Sequence, residues 1–381
     1  MTSAKLVTSA LLALCLAFTG APGGAQTAPT TAAQAAADLR KAIEALQAAQ
    51  SGTDRIAALT ATIRAYETGL SALRDSLRAA SVREATIKAG FDKRRDQIGQ
   101  ILGVMTAMQR SPGPLMLLHP AGPLGTARSG MILSAVTPAL QTQADALKAD
   151  LIEIRNIRAL QQETVGMLQQ GLAAVQGART ALAEAMQNRT ELPKRYLADP
   201  QELRTLADSA ETLDAFALGL AKMESDIGPP VADFAGAKGS LPLPVFGTLL
   251  RHAGEADAAD IVRPGILLAT RPAALVTTPW PATIRYRGPL LDYGNVMILE
   301  PASGYLLVLA GMETVYGETG DVLVAGAPVG IMGGKDTAEA AMAAGAQQGS
   351  GADRLETLYI ELRNHGETID PGPWFAATKE N

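Results

Sequence analysis

The sequence has one cysteine, three histidines and few aromatic side chains, which make up 4% of its 381 residues. The cysteine, Cys15, lies in an N-terminal apolar run, so a chain processed after that run forms no disulfide or thiol site. Scarce aromatics, with abundant alanine and leucine in the first half, favour long helices over broad compact cores. The net charge is −5 and there is no long basic block, so nothing indicates a nucleic-acid partner.

The N-terminus, MTSAKLVTSALLALCLAFTGAPGGAQT, has one lysine, an apolar run from Leu6 to Phe18 and small residues before Ala25. The run is too short to span a bilayer comfortably. This pattern predicts a cleavable secretory signal peptide over 1–25, with an uncleaved anchor as the alternative. We therefore expect an exported, periplasmic protein.

Residues 31–110 contain no proline and favour helix, and part of this stretch carries a regular heptad seam. Its apolar residues recur at alternating spacings of three and four, which is typical of a coiled coil. The seam residues are Ile56, Leu59, Ile63, Tyr66, Leu70, Leu73 and Leu77. A single helix with so narrow an apolar face is unstable alone, so it needs a partner helix.

The partner is expected in the same chain. Residues 111–130 interrupt the helix with four prolines, and a second helical stretch follows over 131–188. Its seam residues are Val165, Leu168, Leu172, Val175, Leu182 and Met186, with Arg179 as an interruption. The sequence therefore predicts an antiparallel coiled-coil hairpin over 31–190 with its tip at 111–130. The alternative is that each helix pairs with another chain.

The predicted tip is apolar, which is unusual for an exposed turn. Its apolar residues either fold back into short helices or bind a partner, and binding is the interpretation that we favour. These residues are Leu115, Met116, Leu117 and Leu118.

A separate helical segment is predicted over 191–226. Asp199 before Pro200, with Glu202 behind it, is typical of a helix start. The apolar residues of the segment lie outside the heptad register, so we expect one amphipathic helix that buries its face on the next domain. These residues are Leu203, Leu206, Leu213, Phe216, Leu218 and Leu220.

The composition changes after a predicted linker at 227–244. Residues 245–381 contain short β-type runs separated by glycine and proline, which indicate a small antiparallel sheet or β-barrel-like domain. The runs are GILLAT, ATIRYRG, NVMILEP, GYLLVLAG, APVGIMGG and TLYIEL. Low-complexity residues 336–353 predict a mobile loop. The predicted fold class is α+β and multidomain, with a long antiparallel coiled-coil hairpin followed by a small β-rich domain.

The order of these runs resembles the EnvC-like murein hydrolase activators. These are exported coiled-coil proteins that end in a LytM-type domain, the lysostaphin-like, duplicated-hybrid-motif-like fold of zinc peptidases. The motifs that carry the resemblance are RPGILLA, LDYGNVMILEPASGYLLVLAG, VLVAGAPVGIMG and LYIELRNHGETIDPGPWF. The resemblance covers nearly all of the chain after the signal peptide.

Active members of this peptidase group need a His and an Asp in a first motif and a later His-x-His pair, because zinc takes three protein ligands and one activated water. Here the first motif aligns with Arg263 and Leu267, and the His-x-His pair aligns with Thr357 and Tyr359. Leucine has no donor atom for zinc, and an arginine cation repels the ion. The resemblance therefore implies a LytM domain without its zinc ligands.

A further catalytic histidine of the group is expected at Leu309 or Gly311. The three histidines of the chain, His119, His252 and His365, cannot supply a His-x-His pair. The sequence therefore predicts a degenerate peptidase domain with no catalytic residue, no metal and no cofactor. An active zinc endopeptidase with an unusual site is the competing interpretation.

In the resembling family the metal-free groove docks and activates a periplasmic N-acetylmuramoyl-L-alanine amidase. By that resemblance we expect Tyr293, Tyr359 and Arg363 to line the groove, with Arg263 and Glu361 beside them, because Tyr and Arg are effective interface anchors. The alternative for Tyr359 is that it only fills space in a β core. Peptidoglycan itself is a further candidate partner.

The resemblance also implies control from the membrane. An FtsEX-like membrane complex would hold the hairpin, with the apolar tip as its contact. The segment at 200–221 would restrain the groove until the hairpin moves, through Leu203, Leu206, Leu213 and Phe216. The competing function is a periplasmic coiled-coil adaptor or scaffold of an envelope complex, although such adaptors place β segments on both sides of the hairpin.

Overall fold

The structure is a computed structural model that describes residues 28–49, 51–109, 122–187, 193–194, 199–223, 233–256, 260–334 and 356–376. The predicted signal peptide, the apolar tip at 115–118 and the loop at 336–353 lie outside these residues. The chain divides into two compact units, one formed by Met1–Ala72 with Leu168–Asn381 and the other by Leu73–Met167.

Three helices form the first half of the described chain. They are α1 (Ala28–Ala48), α2 (Gly52–Gln109) and α3 (Gly122–Gln187). The stretch 31–110, which the sequence predicted to be helical, is divided between α1 and α2. The Ser51 hydroxyl accepts a hydrogen bond from the Asp54 backbone N–H at 3.0 Å, so Ser51 caps a new helix. Among the described helices, none is both long and apolar enough to cross a membrane.

Helices α2 and α3 pair with each other in the unit formed by Leu73–Met167. Arg83 forms an ion pair with Glu153 at 2.7 Å, and Arg94 forms one with Asp150 at 2.6 Å. The residue numbers on α3 therefore decrease as those on α2 increase, so the two helices are antiparallel. The pairing within one chain that the heptad seams predicted is observed here.

Most seam residues of the other unit are buried. Leu70 lies against Gly171, where an added Cβ would come within 2.8 Å of the leucine side chain. Met186 of this unit is only partly buried, as are Leu73, Leu77 and Val165 of the Leu73–Met167 unit. The buried seam residues are Ile56, Leu59, Ile63, Tyr66 and Leu70 on α2, and Leu168, Leu172, Val175 and Leu182 on α3.

The segment predicted at 191–226 contains two helices, where the sequence predicted one. They are α4 (Pro200–Ser209) and α5 (Leu213–Lys222). Asp199 caps α4 by accepting from the Gln201 backbone N–H, and Thr212 caps α5 by accepting from that of Ala215. The Thr212 cap stabilises a fresh helix start, so the chain turns between the two helices. We call α4 and α5 the cover helices.

The C-terminal part is one antiparallel sheet in the order β1-β2-β9-β6-β5-β4-β7, with β10 beside β9, β3 beside β8, and β8 beside β6. The six β-type runs of the sequence correspond to β2, β4, β5, β6, β8 and β9. The strands are β1 (Gly247–Arg251), β2 (Ile266–Thr270), β3 (Leu275–Thr277), β4 (Ala282–Pro289), β5 (Asn295–Ala302), β6 (Tyr305–Val315), β7 (Val322–Leu323), β8 (Pro328–Met332), β9 (Glu356–Asn364) and β10 (Glu367–Ile369).

One apolar core of the sheet includes part of the segment that was predicted as a linker. Phe234 and Leu241 are each 1% exposed and belong to this core, together with Trp374 and Phe375. Phe234 stacks on Trp374 with ring centroids 4.8 Å apart. Residues 233–244 are therefore built into the β domain. The opposite face of the sheet forms a second core with the cover helices.

Candidate functional site

Strand β9 divides its side chains between the two cores, as a period of two requires. Leu358, Ile360 and Leu362 enter the core that holds Trp374. Tyr359 enters the second core, beneath the cover helices. We call this second side of the sheet the covered face. The candidate groove residues of β9, Tyr359, Glu361 and Arg363, alternate with those of the first core.

Tyr359 is the central residue of the covered face. It is 6% exposed, and it lies opposite Leu267 in the pairing of β2 with β9. Its hydroxyl accepts from the Gly265 backbone N–H at 3.1 Å and donates to Glu361 Oε2 at 2.6 Å. Burial, followed by the charge of Glu361, raises the pKa of Tyr359. The phenol therefore stays protonated and holds two buried polar groups.

Only glycine fits at position 265 in this arrangement. A Cβ at this position would lie 2.3 Å from the Ile360 carbonyl oxygen and 2.6 Å from the Tyr359 ring. Only a residue without a side chain lets β2 approach the phenol so closely.

Arg263 and Tyr293 extend the site toward the surface, and both are partly buried. The Arg263 guanidinium carbon lies 5.8 Å from the centroid of the Tyr293 ring, within cation–π range. The Tyr293 ring centroid lies in turn 5.8 Å from that of Tyr359. The structure therefore brings these predicted groove residues into one row, with Tyr359 at its buried end.

Arg363 and Glu361 continue the row along β9. Arg363 is 1% exposed, and its Nε donates to Glu361 Oε1 at 2.5 Å. Its Nη2 donates to Asp214 Oδ1 of α5 at 2.5 Å, and its Nη1 donates to the Gly366 carbonyl oxygen at 3.2 Å. Burial alone lowers the pKa of Arg363, but Glu361 and Asp214 outweigh it and leave that pKa raised. The guanidinium thus joins β9 to the first turn of α5.

A second arginine holds the other end of α5. Arg285 of β4 is 4% exposed and forms a buried ion pair with Glu300 of β5. Its Nη2 also donates to the Leu220 carbonyl oxygen at 3.0 Å and to that of Met223 at 3.4 Å. A cation at these carbonyls is favourable because they form the negative end of the helix dipole.

Arg285, Glu300 and Asp214 were missed by the sequence analysis. A usable signal was present, because Arg285 stands between apolar residues in the run ATIRYRG. A charge at such a position is seldom buried without a partner.

The cover helices also make apolar contacts, between the Arg363 contact at one end of α5 and the Arg285 contact at the other. Phe216 is fully buried and packs edge-on against Tyr286 with ring centroids 4.6 Å apart. A Cβ at Gly219 would lie 2.4 Å from a Leu206 methyl, so glycine lets α4 approach α5. Leu218 was predicted on the apolar face but is 36% exposed. Other residues of α4 and α5 in this core are Leu203, Leu213 and Leu220, and their sheet neighbours include Val296, Ile298, Leu306 and Val308.

Three of the four residues at the expected zinc positions do not suit the ion. Leu267 has no donor atom, Arg263 is cationic, and the Tyr359 hydroxyl is already bonded to Gly265 and Glu361. Within the described residues, no three His, Cys, Asp or Glu side chains are grouped so that they could hold a metal ion. The donor set of a zinc peptidase does not fit this site.

One alignment expectation is corrected by the structure. Leu309 was expected where the peptidases have a further histidine, but it lies in the core on the opposite side of the sheet. Its neighbour Ala310 faces the covered side and pairs with Tyr359. Gly311 has φ +100, and a Cβ there would lie 2.5 Å from the Thr357 carbonyl oxygen. No side chain fits at Gly311. Because side chains alternate between the two faces of a strand, Leu309 lies on the face opposite Tyr359.

Comparisons with known proteins give limited similarity. No family model matches the chain. An uncharacterized protein of Neisseria meningitidis serogroup B is 25% identical over 141 residues, which are 37% of this chain and 21% of that protein. The chain thus spans about a fifth of the length of this curated relative.

Among solved structures, the chain is similar to a Pseudomonas aeruginosa protein assigned to peptidase M23, with TM-score 0.32 and 14% identity over 47% of this chain and 64% of that one. Helicobacter pylori Csd3 gives TM-score 0.28 and 15% identity, over 35% of this chain and 33% of that one. The catalytic domain of lysostaphin from Staphylococcus simulans gives TM-score 0.27 and 15% identity, over 34% of this chain and 91% of that one. Such scores by themselves assign neither activity nor partner.

Proposed function

We propose that this chain is a non-catalytic, periplasmic activator of N-acetylmuramoyl-L-alanine amidases, acting in cell separation. Its β domain is a LytM-type domain in which the covered face, once released, serves as the docking groove for the amidase. The observation that carries the proposal is the state of Tyr359. At a position where a peptidase has a zinc-binding histidine, the chain has a buried phenol that is hydrogen-bonded to Gly265 and Glu361.

The covered face has the composition of an interface. It combines aromatic and arginine side chains, Tyr293, Tyr359 and Arg363, with an apolar surface formed by β5 and β6. Large aromatic and arginine anchors of this kind contribute most of the binding energy in protein interfaces. In the resting protein α5 occupies this surface, so the amidase and the cover helices compete for it.

The strength of the restraint is compatible with such competition. A population of 99% in the covered state needs about 2.7 kcal/mol. Leu213, Phe216 and Leu220 are each no more than 3% exposed, and burial of one such side chain contributes about 1.5–3 kcal/mol. These values are upper estimates, because an undocked helix buries part of its apolar surface elsewhere. The docking free energy of the cover helices is therefore large enough to keep the face covered and small enough for a partner or a mechanical signal to overcome.

Control from the membrane is the remaining part of the proposal. The helix pair formed by α2 and α3 transmits the state of an FtsEX-like membrane complex, with the apolar residues at 115–118 as its contact. Its motion would shift the balance between the covered and open states of the β domain. The predicted signal peptide delivers the chain to the periplasm, where amidase and peptidoglycan are present.

The proposal is tested with the purified mature chain and a variant that lacks residues 199–223. Release of dye-labelled peptidoglycan is measured for each protein alone and with an exported amidase, and zinc is quantified in both preparations. We expect no zinc, no release by either protein alone, and stronger amidase stimulation by the deletion variant. Stoichiometric zinc with release by the chain alone would support the peptidase interpretation. Absence of any stimulation, even by the deletion variant, would favour the adaptor interpretation.

A further inference from the structure

The interruption of the α3 seam by Arg179 has a structural explanation. Arg179 is 8% exposed and Glu67 of α2 is 7% exposed, and Arg179 Nη2 donates to Glu67 Oε1 at 2.8 Å. Both charges are therefore buried, and Arg179 stands where the heptad pattern would place an apolar side chain. The proposed docking of an amidase makes no use of this pair.

Glu67 also binds the β domain. Its Oε1 accepts from the Leu275 backbone N–H of β3 at 3.1 Å. One helical turn away, Arg64 donates to the Thr277 hydroxyl of the same strand and to the Leu243 carbonyl oxygen at 3.4 Å. The base of α2 is thus attached to β3 through side chains, and the attachment uses buried polar groups.

Stability alone does not explain this arrangement. A buried ion pair can often be replaced by packed apolar residues without loss of stability, whereas removal of one partner is costly. Burial raises the pKa of Glu67, although Arg179, the Leu275 N–H and Arg64 all act to lower it. The hydrogen bonds of Glu67 to Arg179 and to the Leu275 N–H form together in one relative position of the two helices and β3, so they specify that position.

The cluster lies on the route from the helix pair to the cover helices. Helix α3 is continuous through Arg179 to Gln187. Lys194 then forms an isolated bridge with Asp321, and the Val322 N–H donates to the Pro193 carbonyl oxygen at 3.1 Å. The chain next reaches Asp199, the cap of α4. Because a helix moves as a stiff element, a movement of α3 reaches the cover helices only if Arg179 also moves.

We propose that Glu67 locks the base of the helix pair onto β3, and that this lock must open before the cover helices leave the sheet. The inference rests on the proposed function, since it describes how the covered face is regulated. In the resting state Glu67 holds Arg179 and the Leu275 N–H together. Movement of α3 separates them, and the cover helices are then free to undock.

The test compares two full-length variants with the wild type by amide hydrogen exchange. Glu67→Gln keeps the shape of the side chain and removes the charge that holds Arg179. Its control, Glu84→Gln, removes the partner of Arg158 in an exposed ion pair between the same two helices. We expect Glu67→Gln to accelerate exchange at least about tenfold in peptides that contain Leu275 and in those of 199–223, and Glu84→Gln to change neither.

A charge-swapped protein, with Glu67→Arg and Arg179→Glu, shows whether β3 matters. It keeps an ion pair between the helices but places no acceptor at the Leu275 N–H, so we expect fast exchange to persist in 199–223. Wild-type exchange in the swapped protein would overturn the lock to β3. If Glu67→Gln does not fold, Thr277→Val, which removes an acceptor of Arg64, is measured in the same way.

Amidase stimulation is recorded in parallel and separates the two proposals. Unchanged exchange in 199–223 for Glu67→Gln overturns the lock, whatever the amidase does. A second outcome is that Glu67→Gln accelerates exchange, but neither it nor the variant that lacks 199–223 stimulates the amidase. This result would contradict the activator function and leave the lock supported. Accelerated exchange with increased stimulation supports both.

Discussion

The buried guanidinium of Arg363 donates to the exposed carboxylate of Asp214 at 2.5 Å, and this bond joins the sheet to the first turn of α5. Arg363 keeps a second carboxylate partner, Glu361, when Asp214 leaves. The contact therefore opens without stranding an unpaired buried charge, which suits the proposed release of the cover helices.

Loss of Asp214 should loosen the cover helices. Because its carboxylate is 63% exposed, solvent weakens the pair, and Asp214→Ala should cost about 0.5–1 kcal/mol of docking free energy. We expect hydrogen exchange in α5 to rise about two- to fivefold. Glu211→Ala, which removes another exposed acid near the start of α5, is the control and should leave exchange unchanged. Equal effects of the two substitutions would contradict a specific role for the Arg363 bond.

Truncation of Phe216 should undock the cover helices more completely. Phe216 is fully buried against Tyr286, and loss of a buried phenylalanine side chain costs about 3–5 kcal/mol. Phe216→Ala should therefore stimulate an amidase nearly as strongly as deletion of 199–223. Leu218→Ala, on the exposed side of the same helix, should behave like the wild type. The idea of a restraint fails if Phe216→Ala folds normally and stimulates no better than Leu218→Ala.

If the proposed function is right, substitution should create a zinc site at the covered face. Leu267 and Tyr359 are directly opposed on β2 and β9, and Arg263 lies near Tyr293 beside them. A triple variant with Arg263→His, Leu267→Asp and Tyr359→His supplies three ligands of the type that zinc prefers. We expect about one zinc per chain in the triple variant and none with Tyr359→His alone, measured by elemental analysis after dialysis. Zinc in the wild type at the same level would contradict the pseudoenzyme proposal.

The Tyr359 hydroxyl should contribute to stability. Tyr359→Phe leaves the Gly265 N–H and a Glu361 oxygen without their partner in the interior, and each unsatisfied group costs about 1–3 kcal/mol. Urea unfolding should show a loss of about 2–6 kcal/mol for the two groups together. Tyr293→Phe, at a partly buried ring, should change the free energy of unfolding by less than about 0.5 kcal/mol. Similar small losses for both variants would mean that the phenol only fills space.

The protein should lose stability at alkaline pH, and Tyr316 should account for part of the loss. Burial raises the pKa of Tyr316 from 10.0 to about 12, although the charge of Arg179 opposes the shift. In that window the unfolded chain has released the proton and the folded chain retains it, so stability falls as the pH rises. Unfolding at a series of pH values should show this loss, and Tyr316→Phe should reduce its slope. Identical slopes would show that Tyr316 ionises at its ordinary pKa.

Local patterns in the sequence identified most of the secondary structure in both halves. The heptad spacing identified the helices that pair, and the six β-type runs identified the main strands. Boundaries that depend on one cap were missed, as at Ser51 and Thr212, because a serine or threonine caps a helix only when the neighbouring backbone turns. Strands β1, β3, β7 and β10 are not among these runs, and the last three have only two or three residues, which carry no periodicity.

Only the tertiary structure decided which polar residues act together. The sequence showed Arg179 as a break in a seam and Arg363 as a groove residue, whereas their partners, Glu67 and Asp214, are more than one hundred residues away in the chain. Periodicity determines which face of a strand or helix a residue occupies, and that much the sequence established by itself. A buried charge must find its partner wherever folding brings one, so the covered face and the attachment to β3 follow from packing between distant segments.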